Sequence, residues 1–141
     1  MRISCKAEYG FRALLDLAQH YGGGPIQSHD IAERQGISEN YLNQMLILLR
    51  RAGLVNSTRG PQGGHQLART PEEITLLEAL LALEGPLLPL SEQLHASIET
   101  VVVRTVLDEL RSSIEQHLSA ITLAELLQRR KVREGQPMYY I

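Results

Sequence analysis

Two short helical patterns meet at Gly36, and a glycine- and proline-rich hairpin pattern follows directly. This order of local signals limits the fold more than any other stretch of the 141-residue chain. Ser28 offers an N-cap, and Ile31 and Ala32 supply the apolar face of a helix of about two turns that ends at Gly36. Ser38 is a second N-cap, because its hydroxyl can satisfy a free amide at the helix start. Leu42, Met45, Leu46 and Leu49 follow at i, i+3, i+4 and i+7, the buried stripe of a second helix. Two short helices around a tight glycine turn make a helix-turn-helix. Leu54–Thr58 then reads as a strand, Arg59–Gly64 as a loop and His65–Ala68 as a return strand. A helix-turn-helix followed by a β-hairpin is a winged helix.

The flanking segments read as helices. Tyr9, Phe11, Leu14, Leu15 and Leu17 give a helical pattern from Lys6 to His20, stopped by Gly22-Gly23-Gly24-Pro25. Ile74, Leu77, Leu80 and Leu81 mark another helix, with Thr70-Pro71-Glu72-Glu73 as starting signals. Gly85-Pro86 and Pro89 break it. A long helix is expected over Ser91–Ile121, with an interruption near Ala96-Ser97. Within it Val103, Leu107, Leu110, Ile114, His117 (or Leu118) and Ile121 alternate steps of three and four, a heptad seam for packing on another helix. Thr122-Leu123-Ala124-Glu125 resembles a capping box opening a last helix to Arg130, and the tail Lys131–Ile141 is expected to be poorly ordered. The fold class is therefore mainly α with a small β-hairpin. A winged helix-turn-helix over residues 1–70 precedes a linker, a long dimerisation helix and a tail over residues 71–141.

Composition narrows the function. Aromatic residues are 4% of the chain, with no Trp and one Phe, so the core is built from aliphatic side chains. A single cysteine, Cys5, excludes an internal disulfide framework. The N-terminus has no apolar leader segment, and no run of apolar residues reaches membrane-spanning length. These features point to a cytoplasmic protein without a membrane role. Residues 1–70 carry eight Lys/Arg and five Asp/Glu, a net +3, whereas residues 71–141 carry six and eleven, a net −5. The first half suits a polyanion and the second a different task.

The glycines of the hairpin loop do not make a nucleotide cradle. Gly64 is followed by His65-Gln66 rather than Lys-Ser/Thr, and no helix opens there. In the hairpin reading, Pro61 and the glycines build the turn, and Arg59 extends outward. An arginine carried on a wing suits the narrow, strongly negative minor groove of DNA. The second helix of the pair suits the major groove, where the N-terminal residues of a recognition helix meet base edges. Its outward positions are Glu39, Asn40, Asn43 and Gln44. Asn and Gln can bond adenine in bidentate fashion, whereas Glu39 reads better as a solvent-facing charge. Tyr41, Ser38, Ser28, Arg50, Arg51, Arg2, Lys6 and the wing residue Ser57 are further DNA-contact candidates, mainly to phosphate.

These segments resemble the Rrf2 superfamily of bacterial winged-helix transcription regulators, the relatives of IscR, NsrR and CymR. The likeness is carried by Met1-Arg2-Ile3-Ser4 with Lys6 and Tyr9, IAERQGISENYLNQML, LRRAGLVNSTRGPQGGHQLAR, ITLLEAL followed by Glu84-Gly85, and ITLAELL. The resemblance implies a homodimer joined by long crossing helices and bound to a pseudo-palindromic operator, where it blocks or recruits polymerase. It also implies that the Ser38–Gln44 segment reads the major groove and Arg59 the minor groove. Two departures stand out. His65 replaces the tyrosine that commonly follows the double glycine, a change expected to affect wing packing. The three cysteines of iron–sulfur members are absent from GPLLPLSEQLHASIETVV.

A cluster is held chiefly by thiolates, so no cofactor and no metal is expected. His20, His29, His65, His95 and His117 show no paired ligand spacing, although His117 on the seam could make a dimer sensitive to pH. Cys5 beside Lys6 is a candidate thiol sensor, but the plainer reading is a small buried apolar residue. The expected partners are double-stranded DNA, a second copy of the chain and, at the C-terminal half, an effector protein or small molecule. The alternatives are a redox-sensing regulator based on iron–sulfur or thiol chemistry and a winged-helix module that binds only protein. No catalytic constellation is visible, so an enzyme is not expected.

Overall fold

A computed structural model describes residues 2–89 and 97–135. The described chain forms six helices and a two-stranded hairpin in the order α1 (Cys5–Gln19), α2 (Ser28–Gln35), α3 (Glu39–Arg51), β1 (Val55–Thr58), β2 (Gly64–Leu67), α4 (Leu76–Glu84), α5 (Ile98–Ser119) and α6 (Leu123–Glu134). This is the expected architecture, mainly helical with one hairpin.

The helix starts show which sequence signals decide local structure. Ser38 caps α3 by accepting from the Tyr41 amide at 3.1 Å. Ser28, by contrast, is the first residue of α2 and not its cap, a position held by Gln27. Gly36 ends α2 in the left-handed conformation at φ 63°, which favours glycine. The expected start at Thr70-Pro71-Glu72-Glu73 is corrected. Pro71–Glu73 form only a turn, and α4 begins after Thr75, where Thr75 and Glu78 form a full capping box. Thr122 caps α6 by accepting from the Glu125 amide at 3.2 Å, but the Glu125 carboxylate pairs with Arg129 at 3.0 Å instead of closing a box. Helix α6 continues past Arg130 to Glu134, so the first part of the expected tail is helical. Ser97 caps α5, in agreement with the expected interruption. The expected helical segment 91–96 and the tail end 136–141 lie outside the described residues.

One hydrophobic cluster runs through both halves of the chain. Leu14 and Leu17 of α1, Leu42, Met45 and Leu49 of α3, and Leu54, Val55 and Leu67 of the hairpin meet Ile74, Leu83 and Leu123 there. Helix α1 lies against α2, α3, α4 and α6. Leu76 donates its amide to Ile121 at 2.9 Å, and Leu123 donates to Ile74 at 3.0 Å, tying the starts of α4 and α6 together. A smaller cluster of Ala7, Leu80 and Leu87 takes in Ile114 and Leu118 of α5. No helix among the described residues is long and apolar enough to cross a membrane.

Candidate nucleic-acid interface

The hairpin stands beside the start of α2. Val55 pairs with Leu67 and Thr58 with Gly64 in antiparallel register. Val55 and Leu67 are buried and anchor the base, while residues 56–62 face solvent. Gly60–Gly63 form a four-residue turn closed by the Gly63 amide on the Gly60 carbonyl at 2.9 Å, with Pro61 second. The double glycine answers two separate demands. A Cβ on Gly63 would run into the Thr58 carbonyl, and one on Gly64 would lie 2.5 Å from the Ile26 backbone. Ile26 and His65 exchange both backbone hydrogen bonds, at 2.8 and 2.7 Å, which staples the wing to the chain entering α2.

His65 belongs to that staple. Its Nδ1 shares a 2.7 Å hydrogen bond with Ser57 Oγ across the hairpin. Burial pushes the His65 imidazole below its ordinary value, and the nearby Arg50 charge pushes it further in the same direction. The ring is therefore held toward its neutral form, and its bond to Ser57 ties the two strands together.

Helix α3 presents its N-terminal side to the same region. Ser38, Asn40 and Gln44 are exposed and Asn43 is half-buried, and Arg50 and Arg51 are exposed at its far end. Arg59 is exposed in the wing loop. Tyr41 is half-buried and packs edge-on against Tyr9, ring centroids 5.8 Å apart, with the Arg12 guanidinium 5.4 Å from the centroid of Tyr9. Tyr41 thus contributes packing as well as a hydroxyl. The Ser28 hydroxyl donates to Glu39 Oε1 at 3.2 Å, linking the starts of α2 and α3. Arg2 is exposed and Lys6 half-exposed at the start of α1. A groove of about 280 Å³ lies between the starts of α2 and α3 and the wing, lined by Ser28, His29, Glu39, Thr58, Gly60 and His65 among others.

Several positioning residues carried no signal strong enough to be singled out from sequence. The Asp16 carboxylate, only 1% exposed, receives Arg34 Nη2 at 2.8 Å, Arg34 Nε at 3.0 Å and Gln35 Nε2 at 3.0 Å, which locks α2 onto α1. Burial pushes its carboxyl up, but the Arg34 and Gln35 hydrogen bonds and the charges of Arg34 and His20 outweigh it and hold the group below its ordinary value. Arg12 adds a bond to the Gln35 carbonyl. Glu84 accepts the Ser4 amide at 3.2 Å and the Ser4 hydroxyl, joining the end of α4 to the start of α1. The Ser4 bond lowers the Glu84 carboxyl first, against a smaller upward push from burial. A lone acid inside the apolar stripe of α1 was the available clue to Asp16.

The expected seam divides over different surroundings. Val103, Leu110 and His117 are exposed, and Leu107 is half-buried. Ile114 packs into the smaller cluster, and Ile121 lies beyond the helix end and is 7% exposed. The apolar surface left open on α5 is Ile98, Val101, Val102, Val103, Val106 and Leu110, between 49% and 81% exposed. No residue of this helix is buried. Cys5 is exposed at the start of α1, which overturns its reading as a small buried residue.

A helix-turn-helix with a stapled β-wing beside the recognition helix defines a winged-helix DNA-binding protein. The chain matches the Rrf2 family model, described as iron-dependent transcriptional regulators, over residues 3–129, and it belongs to that family. It is 36% identical to the HTH-type transcriptional regulator CymR of Bacillus subtilis over 141 residues, covering 100% of both chains. The structure of IscR from T. potens superposes with a TM-score of 0.77 at 41% identity, covering 99% of this chain and 95% of that one. The structure of CymR, the global cysteine regulator of B. subtilis, gives 0.77 at 33% identity, covering 92% and 98%. The protein is a DNA-binding transcription regulator, and its relatives' role is regulation rather than catalysis.

The family description raises the question of iron. Clusters are held chiefly by thiolates, and the whole chain has one cysteine. The described residues bring no three His, Cys, Asp or Glu side chains together in a way that could hold a metal ion. The residues present do not fit a resident cluster.

Proposed function

We propose that the protein acts as a homodimer on a pseudo-palindromic operator, with α3 in the major groove and Arg59 in the minor groove. The observation that carries this reading is the shared exposure of the start of α3 and the wing loop on either side of one groove. Asn40, Asn43 and Gln44 serve as base readers. Ser28, Ser38, Tyr41, Arg50, Arg51, Ser57, Arg2 and Lys6 contact the backbone. The dimer forms through the open apolar face of α5, centred on Val102, Val106 and Leu110, with Val103 and Leu107 beside it. Of the expected seam of Val103, Leu107, Leu110, Ile114, His117 and Ile121, this reading uses the Val103–Leu110 part most, because Ile114 and Ile121 pack within one protomer. In this reading residues 1–70 bind DNA, residues 71–141 pair the protomers, and an effector protein or small molecule acts on the second part.

Binding to the protein's own promoter region, followed by fluorescence anisotropy across a salt series, tests the proposal. Affinity should fall steeply with salt, and Arg59→Ala should weaken binding roughly tenfold or more and reduce the salt slope by about one. Asn43→Ala should relax sequence choice more than it weakens binding. Binding with no salt dependence, or indifferent to Arg59→Ala, would overturn the placement of Arg59 in the minor groove.

A further inference from the structure

Glu39 is an acid on a surface that must approach a polyanion. Phosphates repel it at every DNA sequence, so its placement is unfavourable unless a specific donor on the DNA compensates. Residue 39 is the first of α3, and the N-terminal residues of a recognition helix lie nearest the base edges. The carboxylate is half-exposed, and two residues of α2 hold it. Ser28 Oγ donates to Oε1 at 3.2 Å, and His29 Nδ1 lies 3.7 Å from Oε2. The ordinary role of such a residue is to serve the amides of its own helix start. Here Ser38 already caps the Tyr41 amide, and the hydrogen bond described for Glu39 runs across to α2. A carboxylate has about four acceptor sites on its two oxygens, so these contacts orient Glu39 and leave acceptor capacity open. Of the groups on base edges in the major groove, the exocyclic amine of cytosine is the one that Glu typically reads.

We propose that Glu39 is a specificity-determining residue that accepts a hydrogen bond from the N4 amine of a cytosine in each operator half-site, with Ser28 and His29 as its positioning residues. The inference rests on the reading of α3 as the major-groove helix. It predicts a trade: weaker binding to DNA in general, and discrimination at one base pair per half-site.

The test is selection of binding sequences from a randomised duplex pool by the unaltered protein, by Glu39→Ala and by Ser28→Ala. Competition measurements on single duplexes then compare the selected site with one altered base pair. The unaltered protein should enrich a cytosine at one position of each half-site, and replacing it should weaken binding roughly tenfold. Glu39→Ala, which removes both acceptor oxygens and the charge, should abolish that preference while strengthening binding to unrelated duplexes. Ser28→Ala, which retains the acid, should reduce discrimination at the same position and leave the other positions unchanged. If Glu39→Ala enriches the same cytosine as the unaltered protein, the inference is overturned while the DNA-binding reading stands. If the unaltered protein enriches no sequence at all, both fail.

Discussion

A single methyl group at residue 63 would force the wing apart. The Gly63 Cα faces the Thr58 and Arg59 backbone so closely that a Cβ has no space, and the obstacle is main chain rather than a flexible side chain. Gly63→Ala should therefore destabilise the hairpin by about 2 kcal/mol, in the range of an overpacked site. The Ile26–His65 staple would loosen with it, and the wing would lose its fixed attachment to the chain entering α2. Hydrogen exchange of the Ile26 and His65 amides should rise in this variant, while the amides of α4 and α6 stay protected. Gly60, whose φ of 106° favours glycine but whose Cβ would meet nothing, separates conformation from crowding. Gly60→Ala should strain the turn and leave the staple intact. Equal exchange at Ile26 and His65 in both variants would show that close approach is not what residue 63 supplies.

At the scale of elements, α5 is the helix whose role depends most on something outside the protomer. Six large apolar side chains on one 22-residue helix stay open, more than scattered surface residues need. If α5 carries the proposed dimer contact, Val106→Asp should place a charge in its centre and yield a monomer by sedimentation. The monomer should retain its helical content, because Val106 is 58% exposed and contributes little to the protomer core. Operator affinity should drop by a large factor, since each protomer would then bind one half-site alone. Sequence periodicity found this helix but not the change of surroundings along it. Val103 and Ile114 obey the same heptad spacing, yet Ile114 is taken up by Ala7, Leu80 and Leu87 from distant parts of the chain. The turn residues were more legible, because Ser38, Gly36 and the loop glycines act over two to four residues. Thr70-Pro71-Glu72-Glu73 misled for the same reason. It carries valid local starting signals, but the capping box at Thr75 and the backbone bonds to Ile121 decide where α4 begins. The Asp16–Arg34 pair, 18 residues apart, had no local signature beyond the odd polarity of Asp16.

For the whole molecule, the orientation of the DNA-reading surface depends on how firmly α1 holds its neighbours. Two carboxylates serve as clamps: Asp16 fastens α2, and Glu84 ties the end of α4 to the start of α1. Both are held below their ordinary values in the folded chain, so folding favours their ionised forms. The sign of the pH effect follows. The unfolded chain takes up protons near the ordinary carboxylate value of about 3.9, before the folded chain does. The stabilisation is thus complete above that value and is lost as pH falls through the lower folded values. Asp16→Asn keeps the shape but removes the charge that faces Arg34 and His20. At neutral pH it should lower stability by about 2 kcal/mol, as expected for charge-assisted hydrogen bonds. The gap between the two proteins should narrow steadily from roughly pH 5 downward, read from urea midpoints at each pH. A gap that stays constant across that range would mean that Asp16 contributes shape and neutral hydrogen bonding rather than charge. The same series, read by operator binding above pH 5, separates stability from orientation. If the clamp sets the angle of the helix pair, Asp16→Asn should weaken binding even where the protein is fully folded.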